Sequence, residues 1–251
     1  MEVIILGSGT GAPSLKRGAP GLLIKIKDEL LLFDSGNGTL EKLLKLKIDY
    51  TEIDYIFYTH FHPDHIAELM PLLFANKYGS KIRTKPLIVI GPKGMKNLYE
   101  NLLNAYGKRW LVPENYKIEI KDMDDVAYKG ENWKINSEKV NHIDPSVGYR
   151  FETKDGKVVV YSGDTDYCHN IVKLARNADL FISECSFPDE LYFKGHLTPS
   201  LAGKIARESE CGHLVLTHLY PICNKYNIRK ECRNEYKGRL TVAKDMLKIR
   251  V

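Results

Sequence analysis

The chain has 251 residues, of which 43% are hydrophobic and 27% charged, with a formal net charge of +5. That is enough apolar material for a large core, and it excludes a disordered chain, a coiled coil and a disulfide-stapled miniprotein. The longest apolar runs, LIVI at 87 to 90, VVV at 158 to 160 and LVL at 214 to 216, are strand-sized and far short of the roughly 20 residues that span a bilayer. No Pro/Gly/Ser-rich or strongly charged stretch divides the chain, so one domain over 1–251 is expected. The start, MEVIILGSGTG, has an acid at position 2 and enters a strand at once, unlike a secretory signal, and points to a cytoplasmic protein with no membrane partner. The cysteines are odd in number (Cys168, Cys185, Cys211, Cys223, Cys232) and form no CxxC pair, so reduced thiols are expected.

In chain order, glycine-punctuated strands come first: VIILG at 3 to 7, then GLLIKIK at 21 to 27 and ELLLFDSG at 29 to 36 as a hairpin turning near Asp28. A helical pattern at Leu40, Leu43, Leu44 and Leu46 leads to strand 53 to 59, then to a helix from Asp64 to about Tyr78 with Ile66, Leu69, Leu72 and Leu73 on its apolar side. Strand 86 to 91 and a helix near 93 to 106 follow, and 116 to 120, 132 to 140, 147 to 152 and 157 to 161 read as a run of antiparallel strands. Helix 168 to 175, strand 179 to 183, helix 198 to 209 and strand 213 to 217 precede a basic linker and a final strand-like segment, RLTVAKDMLKIRV. Two halves that each mix strands with helices imply an α/β (α+β) protein with sheet packed on sheet and helices outside.

The chemistry is concentrated in Thr59-His60-Phe61-His62-Pro63-Asp64-His65. With 8 His in 251 residues, such an HxHxDH string arises by chance in roughly one chain in 2000. His60 and His62 stand two apart just beyond a strand, so an extended backbone points both imidazoles the same way. Pro63 stops the extended run, and Asp64 and His65 open the next helix, adding a carboxylate and a third imidazole beside the first pair. A zinc ion that keeps a position open for water takes three protein ligands, so two such sites need ligands from elsewhere. The candidates lie at the ends of predicted strands: His142, Asp164 in Tyr161-Ser162-Gly163-Asp164-Thr165, and His218 in Leu216-Thr217-His218-Leu219.

This order of motifs resembles the metallo-β-lactamase superfamily of binuclear hydrolases over nearly the whole chain. The opening Leu6-Gly7-Ser8-Gly9-Thr10-Gly11 and Leu31-Leu32-Phe33-Asp34-Ser35-Gly36 are similar to that family's first strands, with Asp34 as a buried structural acid. The resemblance implies an αβ/βα four-layer sandwich with the metals at one edge of the packed sheets. It also implies two divalent metal ions, zinc with manganese or iron as alternatives. His60, His62 and His142 would hold one, Asp64, His65 and His218 the other, and Asp164 would bridge them.

Gly195-His196-Leu197-Thr198-Pro199 places a histidine before a helix for which Thr198 is the candidate N-cap. It resembles the HxT motif of ribonuclease Z and related phosphodiesterases. A catalytic His196 acting on a phosphodiester is weighed against a simple loop histidine. Glu184, in Ile182-Ser183-Glu184-Cys185-Ser186, resembles the HEATF-like segment of ribonuclease Z and would orient His196 or serve as a structural acid. The resemblance is incomplete. Bacterial ribonuclease Z inserts a tRNA-gripping arm between the positions of His142 and Asp164, where this chain has only two strands and a turn. The cysteine-histidine zinc site of the carbon-phosphorus-lyase accessory phosphodiesterase has no counterpart in GAPSLKRGAPGLLIKI at 11 to 26.

The reading is therefore a binuclear phosphodiesterase, ribonuclease Z-like but armless, cleaving RNA or small or cyclic phosphodiesters with a metal-bound hydroxide oriented in part by Asp64. A lactonase or thioesterase on the same scaffold, or a non-catalytic nucleic-acid-binding module, are the alternatives, and a homodimer is compatible with the sequence. The stretch 224 to 239 carries Lys225, Arg229, Lys230, Arg233, Lys237 and Arg239 against Glu231 and Glu235. With Tyr226 and Tyr236 to stack on bases, it is the candidate nucleic-acid contact, against a plain solvated linker. His169 and His213 are expected to be structural.

Overall fold

The apolar amino terminus becomes β1 (Glu2–Gly7), with Val3, Ile4, Ile5 and Leu6 all buried, in a computed structural model that describes residues 1–123 and 127–251. The chain falls into two units. One comprises Met1–Gly7, Gly18–Asp124 and Asp245–Arg250, and the other Ser8–Arg17, Asp125–Lys244 and Val251.

In the first unit β1 pairs antiparallel with β2 (Gly21–Ile26), and β2 with β3 (Glu29–Phe33), which is the hairpin expected around Asp28. The sheet then turns parallel through β4 (Tyr55–Phe57), β5 (Leu87–Gly91) and β6 (Ile118–Asp122). Parallel neighbours require crossovers. They are supplied by α1 (Thr39–Lys45) between β3 and β4, by α2 (Pro63–Ile66) and α3 (Leu69–Tyr78) between β4 and β5, and by α4 (Met95–Tyr106) and α5 (Lys108–Leu111) between β5 and β6. Ile4, Leu6, Leu23, Leu32, Ile56 and Val89 from the strands form one buried cluster with Leu43, Leu69, Leu72, Leu73, Met95 and Leu103 from the helices.

The second unit starts with the antiparallel run β7 (Tyr128–Lys129), β8 (Trp133–Lys139), β9 (Val147–Thr153) and β10 (Val158–Tyr161). It also turns parallel, through β11 (Leu180–Glu184), β12 (His213–Thr217) and β13 (Arg239–Val242). Its crossovers are α6 (His169–Leu174), α7 (Pro199–Glu208) and α8 (Ile228–Glu235). Val158, Val160, Phe181, Leu214 and Leu216 pack in a buried cluster with Leu174, Ala202, Ile205 and Cys232. The final strand, β14 (Leu247–Arg250), pairs antiparallel with β1 in the first unit. Among the described residues each unit therefore carries a seven-stranded sheet. No helix among them is long and apolar enough to cross a membrane. All five cysteines are free thiols, and burial pushes those of Cys211 and Cys223 up to about 11 and that of Cys232 up to about 12.

Several sequence expectations change. The helix expected from Asp64 to Tyr78 is two helices, because the Glu68 N–H donates to the Ser35 carbonyl (2.9 Å) while its carboxylate accepts from Leu40 N (2.6 Å) and Gly38 N. The strand expected at 116 to 120 is β6, parallel to β5, and not part of the antiparallel run. The last segment is two strands in different sheets. The basic linker is largely α8, capped by Asn227, whose side chain accepts from Lys230 N at 3.0 Å. Tyr236 in it is buried, with its hydroxyl donating to the Cys211 carbonyl (2.8 Å), so that ring is not presented for base stacking.

One buried cation ties the first unit together. Arg83, 1% exposed, donates to the carbonyls of Lys85 (2.6 Å), Thr51 (2.8 Å), Ile53 (2.5 Å) and Pro86 (2.6 Å), joining the segment after α3 to the approach to β4. Removing it strands several buried acceptors, each with its own desolvation cost. Arg83→Met should lower the unfolding free energy by about 2–4 kcal/mol in urea titrations. A midpoint equal to wild type would refute the role.

His213 begins β12 at 6% exposure with Nε2 2.9 Å from the Thr241 hydroxyl, and burial pushes its imidazole from 6.5 down to about 4. Between those values the unfolded chain holds the proton more readily than the native one, so stability is lost as pH falls from 6.5 towards 4. His213→Gln removes that dependence. The stability advantage of wild type over the variant should shrink on moving from about pH 7.5 to about pH 4.5; a constant difference would contradict the assignment.

Candidate functional site

The predicted ligands of the first unit stand at the carboxyl end of β4 and in the turn into α2, and those of the second unit follow β8, β10 and β12, where open parallel sheets place their ligands. In the first unit His60, His62, Asp64 and His65 come together. The His60 and His65 rings lie 4.1 Å apart, His60 and His62 4.7 Å. Asp34, 0% exposed, organises them. Its carboxylate accepts from Thr59 N (2.9 Å) and the Thr59 hydroxyl (3.0 Å) and lies 2.8 Å from His65 Nδ1.

These bonds fix tautomers. His65 donates Nδ1–H to Asp34, which puts its lone pair on Nε2, 3.9 Å from Asp64 Oδ2. Because the Thr59 hydroxyl gives its proton to Asp34, His60 Nδ1, 3.0 Å away, donates to Thr59 and presents the Nε2 lone pair. That nitrogen is 3.0 Å from His62 Nδ1. Two nitrogens on one tetrahedral zinc, each about 2.0–2.1 Å from the ion, lie about 3.3 Å apart, so the pair suits a shared cation. Gly36 lets the chain close: a Cβ there would lie 2.0 Å from the Asp64 carbonyl oxygen.

In the second unit His142, Asp164, Glu184, His196 and His218 come together. His142 donates Nδ1–H to the Gly195 carbonyl (2.8 Å) and turns Nε2 to within 3.8 Å of Asp164 Oδ2. Gly195 has φ 92, a left-handed conformation that suits glycine. Glu184, buried at the end of β11, accepts from Thr165 N (2.8 Å), the Ser186 hydroxyl (2.6 Å), Leu197 N (3.1 Å) and His196 Nδ1 (2.9 Å). Since Ser186 gives its proton to Glu184, His218 Nδ1, 2.9 Å away, donates to Ser186 and presents Nε2 at 3.4 Å from Asp164 Oδ1. Ligand atoms of Asp164, His196 and His218 lie within 4.8 Å of one another. The His196 nitrogen nearest Asp164, Nδ1 at 4.0 Å, is the one bonded to Glu184. Thr198 caps α7 as expected, its hydroxyl accepting from Leu201 N at 3.4 Å.

The donor set, Nε2 imidazoles whose Nδ1–H is held by a carboxylate, carbonyl or hydroxyl together with carboxylates, fits a divalent transition metal. Residues 1–197 match a family model described as Anti-Pycsar protein Apyc1. The chain belongs to that family. The probable metallo-hydrolase YhfI of Bacillus subtilis is 31% identical over 254 residues, covering 97% of each chain. The crystal structure of YhfI, a metallo-β-lactamase fold protein, superposes with a TM-score of 0.86 at 28% identity over 99% of this chain and 98% of that one. Ribonuclease Z of Thermococcus onnurineus is 29% identical over 268 residues, covering 87% of this chain and 84% of that protein. The short form of human tRNase Z gives a TM-score of 0.79 at 26% identity over 100% of this chain and 99% of that one. The metallo-β-lactamase fold expected from the motifs is thus shown, and the protein is a metal-dependent hydrolase of the phosphodiesterase, ribonuclease Z-like type.

Sequence reasoning missed Thr59, Ser186, Gly195 and Asp166. Asp166 Oδ2 accepts from Gly195 N (3.0 Å) and the Tyr192 hydroxyl (2.5 Å), fixing the loop before His196. Adjacency was the one available signal, since Thr59 precedes His60 and Ser186 follows Glu184 by two. Asp34→Asn keeps the size and the left-handed backbone (φ 55) but replaces an acceptor facing His65 with an amide. Metal affinity, read by chelator competition, should fall about 10–100-fold. Unaltered affinity would remove Asp34 from the metal centre.

Proposed function

We propose that the chain is a binuclear phosphodiesterase with His60, His62 and His142 holding one divalent ion, Asp64, His65 and His218 the other, and Asp164 bridging. Zinc is the favoured ion, with manganese and iron as alternatives. The substrates proposed are RNA or small or cyclic phosphodiesters, and the two units work as one hydrolase domain. The proposal for the ligand set rests on the resemblance and on tautomer control within each unit, which leaves Nε2 of His60, His65, His142 and His218 as the donor. Bound there, the ions would polarise the phosphoryl oxygens and supply a hydroxide nucleophile at neutral pH.

The remaining work falls to side chains. Asp64 orients the attacking water. His196, tied at Nδ1 to Glu184, has Nε2 to protonate the leaving oxygen or stabilise charge on the phosphate. Glu184 is a positioning residue. The observation that carries this reading is the buried Glu184–His196 pair beside Asp164. An alkoxide leaving from phosphate needs a proton, and a histidine held by a carboxylate next to the reacting group can give it. Between His142 and Asp164 the chain makes only the β9–β10 hairpin, so no tRNA-gripping arm is proposed. The ribonuclease names of the relatives support RNA as one substrate class.

Two metal ions per chain should be found by elemental analysis of metal-loaded protein, and a single ion would overturn the binuclear proposal. His196→Ala should leave that content unchanged while lowering kcat by roughly 10²–10⁴ on diesters with poor leaving groups. KM should change little, because the lost interaction belongs to the transition state. The deficit should shrink with p-nitrophenolate esters, which depart without a proton. Wild-type turnover of a poor-leaving-group substrate by the alanine variant would exclude His196 from catalysis. Robust lactone hydrolysis without phosphodiester cleavage would favour the lactonase alternative.

A further inference from the structure

The loop between β11 and α7 carries the rings of Phe187 and Phe193, with centroids 5.9 and 6.2 Å from that of His196, but its tie to His142 runs through its backbone. The His142 Nδ1–H goes to the Gly195 carbonyl (2.8 Å), and Gly195 stands in a left-handed turn (φ 92) outside any helix or strand. A carbonyl on a loop orients an imidazole only as firmly as the loop itself is held. Asp166 holds it. This residue is 7% exposed, and its Oδ2 accepts from Gly195 N (3.0 Å) and the Tyr192 hydroxyl (2.5 Å) while Oδ1 accepts from Tyr167 N (2.7 Å). Its backbone is fixed to the strand end that carries His142: Asp166 N donates to the Asn141 carbonyl (2.7 Å), and Asn141 N to the Thr165 hydroxyl (3.2 Å). The bonds from Asp166 to Asn141, from His142 to Gly195 and from Gly195 back to Asp166 thus close a circuit around the imidazole.

We propose that Asp166 is a positioning residue for the metal centre, acting through Gly195 to hold the His142 ring with Nε2 turned towards Asp164. The proposal rests on the ligand role proposed for His142 and deepens it. A carboxylate suits the task because hydrogen bonds to an ionised acceptor are shorter and stronger than neutral ones. The Tyr192 hydroxyl, on the same oxygen as Gly195 N, keeps that oxygen facing the loop. One turn after β10 therefore supplies a ligand, Asp164, and two residues later the anchor of another ligand.

The test is chelator competition on metal-loaded wild type, His142→Ala, Asp166→Ala and Tyr192→Phe, with proton NMR of the cobalt-loaded proteins. Asp166→Ala should weaken the binding of one ion about 10-fold. Tyr192→Phe, which removes one hydroxyl from a half-exposed side chain, should shift it the same way by less. The exchangeable, hyperfine-shifted Nδ1–H resonance that His142→Ala abolishes should also be lost to solvent exchange in Asp166→Ala, with those of the other ligand histidines kept. Wild-type affinity and an unchanged resonance in Asp166→Ala, beside weakened binding in His142→Ala, would overturn the positioning role and leave the ligand set standing. Loss of all such resonances together would make Asp166 a general structural residue and defeat the proposal. Wild-type affinity in His142→Ala would remove that histidine from the ligand set, and the role of Asp166 with it.

Discussion

The chemistry of the second unit hangs on one carboxylate. Glu184 sits at the end of a buried parallel strand, where a charged group survives only if its oxygens are saturated with donors. Its donors are not arbitrary. Thr165 N follows Asp164, Leu197 N follows His196, and Ser186 carries the proton that decides the His218 tautomer. A single buried charge therefore fixes the backbone beside one acid and one imidazole, the ring of that imidazole, and the donor atom of another. Charge-assisted bonds are short and strong, and the low dielectric around them makes any departure from this geometry costly.

Asp34 has the same part in the first unit, and the backbone there shows what the geometry requires. Asp34, just past β3, and His218, just past β12, both lie in the left-handed region, each with φ 55. That conformation disfavours residues with a Cβ by roughly 1–2 kcal/mol. It persists where surrounding bonds over-determine it, and such residues gather at functional sites. The Asp34 N–H donates to the Phe57 carbonyl at 2.8 Å, and Leu219 N, next to His218, donates to the Ser8 carbonyl at 3.0 Å. At both positions the strand ends in a sharp turn, and the turned residue is the one whose side chain the site uses.

How much of this was legible in the sequence depends on the range of the interaction concerned. HxHxDH, Asp164 and His218 could be read because ligand chemistry demands particular side chains at strand ends, and the parallel strands ending at Phe57, Tyr161 and Thr217 leave local alternation and glycine signals. Asp34 and Glu184 were reached through resemblance. The proton-directing partners were not reached at all: a serine or threonine beside a ligand is unremarkable until the fold brings it against a carboxylate. The break between α2 and α3 was invisible for the same reason, since Glu68 leaves the helix to bond with residues about 30 positions earlier. Strand Ile118–Asp122 was assigned to the wrong sheet because alternation reports a half-buried strand but not its neighbour. Arg83 reads as one more surface cation until four carbonyls are found around it.

In the loop carrying the aromatic rings, the rings are separate from the bonds that position His196. Ser186 and Leu197 are tied to each other, Ser186 N donating to the Leu197 carbonyl at 3.0 Å, and both are tied to Glu184. Residues 187 to 195 are thus closed at their base on the same carboxylate that holds His196, in the manner of a surface loop with joined ends. Changing Phe187 or Phe193 alters what faces the imidazole without moving it, because neither side chain contributes to the bonds that position the ring. Tyr192 and Gly195 differ from those rings: the Tyr192 hydroxyl and the Gly195 N–H are both held by Asp166, and the Gly195 carbonyl holds His142. A scaffold built this way keeps the His196 ring and the tautomers of His142 and His218 fixed while the ring-bearing residues are exchanged. Phe187 and Phe193 are therefore positions whose side chains can change without rebuilding the centre.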